Sequence, residues 1–192
     1  MCSWCWAFKS TWKKVKIAVE NQVNIRLLLG GLAPDNNLPM GLETQNYIQV
    51  NWEKIQQTVP GTEFNFDFWR LCQPRRSTYR ACRAVISARI QQPRVEELYI
   101  EAIQRAYYLE AKNPSDEDVL INIARKLGLG AKQFSKDLNS LEVEESLKKE
   151  ITLSQSLGMT SFPSLKLLRG GILETIEINY NNAEFIIDQI IT

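Results

Sequence analysis

The chain has 192 residues, 44% hydrophobic and 23% charged, and its 23 Lys and Arg against 22 Asp and Glu leave a formal net charge of +1. That composition suits a globular domain with a sizeable core. It provides no field for nucleic acid or an anionic membrane surface, and no apolar run reaches the ~20 residues that span a bilayer. Histidine is absent, which excludes His-dependent triads, zinc sites with His ligands and haem–His ligation.

In chain order, Cys2-Ser3-Trp4-Cys5 comes first, directly after Met1. A C-x-x-C pair at the start of an amphipathic helix is a dithiol site, able to form and break a disulfide by thiolate exchange. The helix is predicted from Ser3 to about Asn21. Trp4, Phe8, Trp12, Val15 and Val19 recur at three- and four-residue steps, with Lys9, Lys13, Lys14 and Lys16 largely on the other side. Residues 23–32 (VNIRLLLGGL) read as a strand ended by Gly30-Gly31, and 33–40 as loop.

A helical region follows. Residues 44–57 predict a helix stopped by Pro60-Gly61, and 63–74 an irregular aromatic-rich stretch. Ser77 or Thr78 is placed to cap a helix to about Gln92, and Pro93 stands near the start of the next, to Lys112. Ser115 to Asp118 open another helix with a capping residue and an acidic first turn. Gly128 and Gly130 end it, and two more helices are predicted over about 131–139 and 142–157.

The character then changes. A strand at 164–168 is entered through Phe162-Pro163, Gly170-Gly171 turns the chain, and 172–178 returns as the second strand of a hairpin. Asn181 or Asn182 caps a last helix ending in Ile190-Ile191. This order predicts an α/β fold, a mixed sheet with helices on both faces. Residues 44–157 read as an inserted helical subdomain, with 1–43 and 158–192 forming the domain around it.

On a helix start the first sulfur of the pair is exposed and the second lies one turn inward. Free helix N–H groups and the macrodipole stabilise the Cys2 thiolate, lowering its pKa below the ~8.5 of a free thiol. The four cysteines, Cys2, Cys5, Cys72 and Cys82, are too few for a disulfide scaffold. Zinc is disfavoured because Cys72 and Cys82 lack the close spacing of a ligand pair. Two inert core cysteines are disfavoured by the helix start, the flanking Trp4 and Trp6, and Pro163. Cys82 reads as packing on an apolar helix face with Val85 and Ile86, and Cys72 as a loop residue, in preference to an auxiliary redox pair. The aromatic set Phe64, Phe66, Phe68, Trp69, Tyr107 and Tyr108 reads as glue between elements in preference to a groove. Gly30-Gly31 is not a phosphate loop, having no Lys-Ser/Thr after it, and Arg75-Arg76 reads as a solvated pair.

Several segments resemble the DsbA-like branch of the thioredoxin superfamily, most of all its FrnE-like bacterial disulfide oxidoreductase/isomerase group. They are MCSWCWAF at 1–8, LLGGLAPDN at 28–36, FNFDFW at 64–69, RRSTYRACRAVISAR at 75–89, AYYLEAKNPSDEDVL at 106–120 and LGMTSFPSL at 157–165. The resemblance implies a thioredoxin-like fold with a helical insertion. It implies that Cys2 is the attacking thiolate, Cys5 the resolving thiol and Pro163 a cis-proline beside them, with Phe162 offering its backbone to an incoming peptide. Trp4, set between the cysteines, is counted with Phe162 and Pro163 as substrate-binding. Members of the branch carry a strand immediately before the C-x-x-C. The first central strand is therefore expected to be missing from the N-terminus, through a start codon assigned too late or a truncated paralogue, leaving 23–32 and 164–168 on either side of a gap.

The expected activity is thiol–disulfide exchange, as oxidoreductase or isomerase, on protein or small-thiol substrates. No metal or organic cofactor is expected. Glutathione is a candidate co-substrate, and disulfide-bearing proteins are the expected partners, with no nucleic acid or membrane. With no basic segment and apolar h-region at the start, the expected location is cytoplasmic. Two rivals remain. A glutathione-dependent kappa-like transferase or isomerase shares the architecture but keeps a lone Ser or Cys where this chain has both Cys2 and Cys5. A redox-inert peptide-binding or chaperone module would use the aromatic surface alone.

Overall fold

Apolar residues at helical spacing dominate this sequence. The computed structural model, which describes residues 1–192, contains nine α-helices and one two-stranded sheet. The helices are α1 (Ser3–Val19), α2 (Leu42–Thr58), α3 (Phe68–Leu71), α4 (Tyr79–Gln91), α5 (Glu96–Tyr108), α6 (Glu117–Lys126), α7 (Ala131–Leu138), α8 (Leu141–Ser156) and α9 (Ala183–Ile191). A 3₁₀ turn at Pro93–Val95 leads into α5. Strands β1 (Leu165–Arg169) and β2 (Ile172–Ile176) lie between α8 and α9.

α1 buries Ala7, Phe8, Thr11, Val15 and Val19. The apolar stripe read from sequence is thus the buried face, with Trp4 and Trp12 half-buried at its margins. Phe8, Val15 and Val19 pack with Ile176 of β2 and Ile186 and Ile187 of α9. On the other side of the helix, Lys9 and Lys16 reach Glu101 and Glu97 of α5.

The central helix of the helical region is α4, which packs on α5, α6, α7 and α8. Its Ala81, Ala84, Val85 and Ala88 join Tyr99, Leu120 and Phe134 in one buried cluster, and the Tyr99 hydroxyl donates to Leu120 O at 2.8 Å. The aromatic residues form a separate buried cluster around Trp52, whose ring stacks on Phe64 with centroids 4.7 Å apart. They hold α2, α3 and α5 together, the packing role the sequence suggested. α5 stops at Tyr108, short of the expected Lys112. Ala111 takes a positive φ of 50° and the Lys112 N–H bonds back to Ala106 O at 2.8 Å, closing the helix end.

Capping follows sequence in part. Asn182 accepts from Phe185 N at 3.3 Å at the start of α9. Thr78 stands before α4 but does not cap it. Its hydroxyl accepts from Ala33 N at 2.9 Å and donates to Ala33 O at 3.0 Å.

β1 and β2 pair antiparallel, Leu165 opposite Ile176 and Arg169 opposite Ile172. Gly170 and Gly171, at φ 55° and 87°, supply the left-handed conformations that a two-residue hairpin turn requires. The expected strand at 23–32 is not formed: the sheet holds β1 and β2 alone, and 24–32 runs without regular secondary structure. A strand is defined by a hydrogen-bonded neighbour, and none lies beside this stretch. Between it and β1 is a cavity of about 1560 Å³ lined by Leu27, Leu29, Leu165 and Leu167 among others.

Candidate dithiol site

Cys2 occupies the N-cap position of α1 with an extended backbone, φ −108° and ψ 119°, and Cys5 follows in the first turn. Both are half-buried, and both face the cavity. The geometry separates their acidities. The Cys2 thiol is lowered to about 6, chiefly by the hydrogen bond from the Cys5 thiol. Burial opposes that shift, and the Cys5 and Trp4 backbone N–H groups add to it. These are the free amides that every helix start presents. Cys5 is held well above the usual thiol range by the same hydrogen bond, by burial and by the Cys2 charge. One sulfur is therefore a thiolate at neutral pH and the other its proton-holding neighbour.

The loop before β1 closes on this pair. The Phe162–Pro163 peptide bond is cis, and in its thiol form Cys2 Sγ donates to the Phe162 carbonyl at 3.3 Å. Pro163 lines the same cavity as Cys2 and Cys5, and both loop residues are half-buried. The structure thus brings together Cys2, Cys5, Phe162 and Pro163, which are 157 or more residues apart except within each pair. Trp4 lies beside them but leans on Tyr180, with ring centroids 5.0 Å apart.

The sequence reading missed Tyr180. It and Tyr108 flank the dithiol, Trp6 stacking on Tyr108 at 5.5 Å. Burial, with the charges on Cys2 and Cys5 contributing, raises both phenols, Tyr180 to about 12. Tyr108 was assigned to packing and Tyr180 carried no pattern of its own, so only the tertiary contact with tryptophans of α1 identifies them.

The other two cysteines lie apart from one another. Cys72 Sγ donates to Ala111 O at 3.0 Å beside the Trp52 cluster. Cys82 packs against Ile86, Val143, Leu147 and Ile151, and burial raises its thiol to about 11. All four cysteines are free.

These features can be set beside known proteins. The thioredoxin family model matches residues 1–172. Among curated proteins, the chain is 25% identical over 178 residues to the ClpXP adapter protein SpxH of Halalkalibacterium halodurans, covering 91% of this chain and 58% of that protein. The SpxH of Bacillus subtilis is 25% identical over 166 residues, covering 86% and 54%. The chain spans little more than half the length of these relatives. Among solved structures, a candidate protein disulfide isomerase from Nitrosomonas europaea superposes with a TM-score of 0.82 at 24% identity, over 97% of this chain and 89% of the other. The cytosolic disulfide reductase DsbM of Pseudomonas aeruginosa gives 0.75 at 24% identity, over 92% and 85%. At those identities the structural matches speak for the fold alone, a thioredoxin-like one with a helical insertion. No helix is long and apolar enough to cross a membrane. With a family match running from the dithiol helix through the cis-proline loop into β2, the chain belongs to the thioredoxin family.

Proposed function

We propose that this chain is a thiol–disulfide oxidoreductase whose nucleophile is Cys2. The observation that carries the reading is the placement of the Cys2 sulfur at a helix start, 3.3 Å from the Phe162 carbonyl, with its thiol lowered to about 6. The Cys2 thiolate attacks one sulfur of a substrate disulfide, forming a Cys2–substrate bond and releasing the other substrate sulfur as a thiolate, which takes up a proton. Cys5 then loses its proton and attacks Cys2 Sγ. The Cys2–Cys5 disulfide forms, and the substrate leaves with both sulfurs reduced. Run backwards, the same steps oxidise a dithiol. Phe162 and Pro163 form the edge along which an extended substrate lies, and Trp4 borders it. No metal or organic cofactor enters these steps. Glutathione or a dithiol protein would return the pair to its starting state, and likeness to a cytosolic reductase supports placing the reaction in the cytosol.

The test is to trap the intermediate. Cys5→Ser leaves the attacking thiolate without its resolving partner, so mixed disulfides at Cys2 should accumulate with a protein disulfide substrate and be released by added dithiol. If peptide mapping finds no adduct at Cys2, the reading is wrong.

A second reading has its own support: the curated relatives are named as adapters. In that case the chain binds a partner without exchange. Cys2→Ser/Cys5→Ser would then leave partner binding unchanged, whereas an oxidoreductase loses its hold on disulfide substrates.

A further inference from the structure

The stretch 29–33, Leu-Gly-Gly-Leu-Ala, is fastened at both ends. The Leu29 N–H donates to Glu150 Oε2 at 2.9 Å. Glu150 is a buried carboxylate whose other oxygen accepts from Arg89, and Arg89 in turn bonds Glu96 at 2.8 Å. At the other end, Thr78 makes two bonds to Ala33 through its hydroxyl, and its N–H donates to Ala33 O at 3.0 Å. Between these fastenings lie two glycines with different reasons to be glycine. Gly31 has φ +61°, which strains any side chain. Gly30 is not among the residues with positive φ, so its backbone conformation alone does not call for glycine. What a side chain at Gly30 would meet is the Phe162 ring: a Cβ there would lie 1.9 Å from Cε1 and 2.1 Å from Cζ.

We propose that Gly30 is a positioning residue of the dithiol site: its bare Cα seats the Phe162 ring, and that seat fixes the Phe162 carbonyl against the Cys2 sulfur. The inference rests on the reading of Cys2 as the nucleophile. The platform cannot yield easily, because Leu29 and Ala33 are tied to α8 and to the residue before α4. A methyl group at Gly30 therefore displaces the ring. The seat acts on Cys2 when the displaced ring carries its own backbone, and with it the carbonyl, off the sulfur; a ring that only turns about its side-chain torsions toward the adjoining cavity would leave the Cys2 midpoint unchanged and overturn the proposal. In the thiol form Cys2 donates to that carbonyl, and a hydrogen bond made only by the neutral form favours it. Losing the acceptor shifts the equilibrium toward the thiolate. The substrate-binding edge moves in the same step, so exchange slows although the nucleophile ionises more readily.

The test is a double-variant cycle with Gly30→Ala, Phe162→Ala and both together. Cys2 ionisation is followed by thiolate absorbance against pH, and exchange by turnover of a small disulfide. Gly30→Ala should move the Cys2 midpoint downward and slow exchange by roughly tenfold, within what displacement of a reacting geometry does to rate. With the ring gone, Gly30→Ala should change neither quantity beyond what Phe162→Ala does alone. An equal effect in both backgrounds, or none in either, overturns the proposal. If Gly30→Ala does not fold, recovery of folding in the double variant supports the seat, and failure of the double variant to fold overturns it. A wild-type chain without exchange activity would remove the proposed function, while the titration would still judge the seat.

Discussion

The helical block around α4 and the hairpin region around the dithiol are built on different principles. In the block, each helix closes its own backbone hydrogen bonds and contributes one apolar face. Fourteen buried residues from α4 to α7 and their connections merge into one cluster. The hairpin region depends on neighbours distant in sequence. Its sheet is two strands, its core is six buried residues from α1, β2 and α9, and a cavity of about 1560 Å³ opens beside it. The proposed nucleophile sits in the second region, where the Cys2 sulfur meets a carbonyl from a loop 160 residues away. Packing is concentrated in one part of the molecule and the proposed chemistry in the other.

Substitutions in each region test this difference. The largest effect on chemistry should come from Cys2→Ser, which removes the proposed nucleophile. Disulfide turnover should fall to background, and the thermal midpoint should change little because the side chain is half-buried. Appreciable residual turnover would move the chemistry to another cysteine.

Next in size is a change that harms stability first. Trp52 is fully buried, with Phe64, Phe68, Tyr107 and Tyr108 in its cluster, so Trp52→Ala should cost about 3–5 kcal/mol. That is a large share of the ~5–15 kcal/mol holding a typical domain. Leu167→Ala in half-buried β1 should cost less, about 1–2 kcal/mol, because less apolar area leaves water there. Denaturant titration of both variants checks the ranking, and equal losses would erase the distinction between the buried helical clusters and the hairpin region.

A smaller, graded effect follows from ionisation. Only the thiolate attacks, and the Cys2 thiol is lowered to about 6. The rate of exchange, or of alkylation at Cys2, should therefore fall roughly tenfold per pH unit well below 6 and level off above it. Mass mapping should find Cys2 labelled before Cys5 and Cys82, both of which are raised. A midpoint near the free-thiol value of ~8.5 would show that the helix start and Cys5 do not act as described. The smallest change should be Lys16→Ala, which removes an ion pair to the largely exposed Glu97. Such pairs contribute about 0–1 kcal/mol, so a larger loss would mean that α1 and α5 brace the cavity more than their geometry indicates.

Much of this was legible in the sequence. Every helix of eight or more residues was readable from apolar spacing and stop signals, because a helix satisfies its own backbone and needs only one face matched to the core. Cys2 and Cys5 stood out as a candidate dithiol because of their spacing at a helix start, and the hairpin could be read because Gly170-Gly171 dictates its turn. Residues 23–32 show the limit. They have the apolar content of a strand, yet apolar content cannot supply a hydrogen-bonded neighbour, and here none is present. Thr78 has a capping residue's chemistry, and its hydroxyl went instead to Ala33.

Local pattern was enough for the helices, the hairpin and the candidate dithiol, since these depend on residues within a few positions of one another. That Phe162 faces Cys2, that Tyr108 and Tyr180 flank the pair, and that Glu150 holds Leu29 follow from long-range packing alone. Each of those contacts joins side chains or backbone groups far apart along the chain. Their partners are selected by the packing of whole elements, which no local pattern encodes.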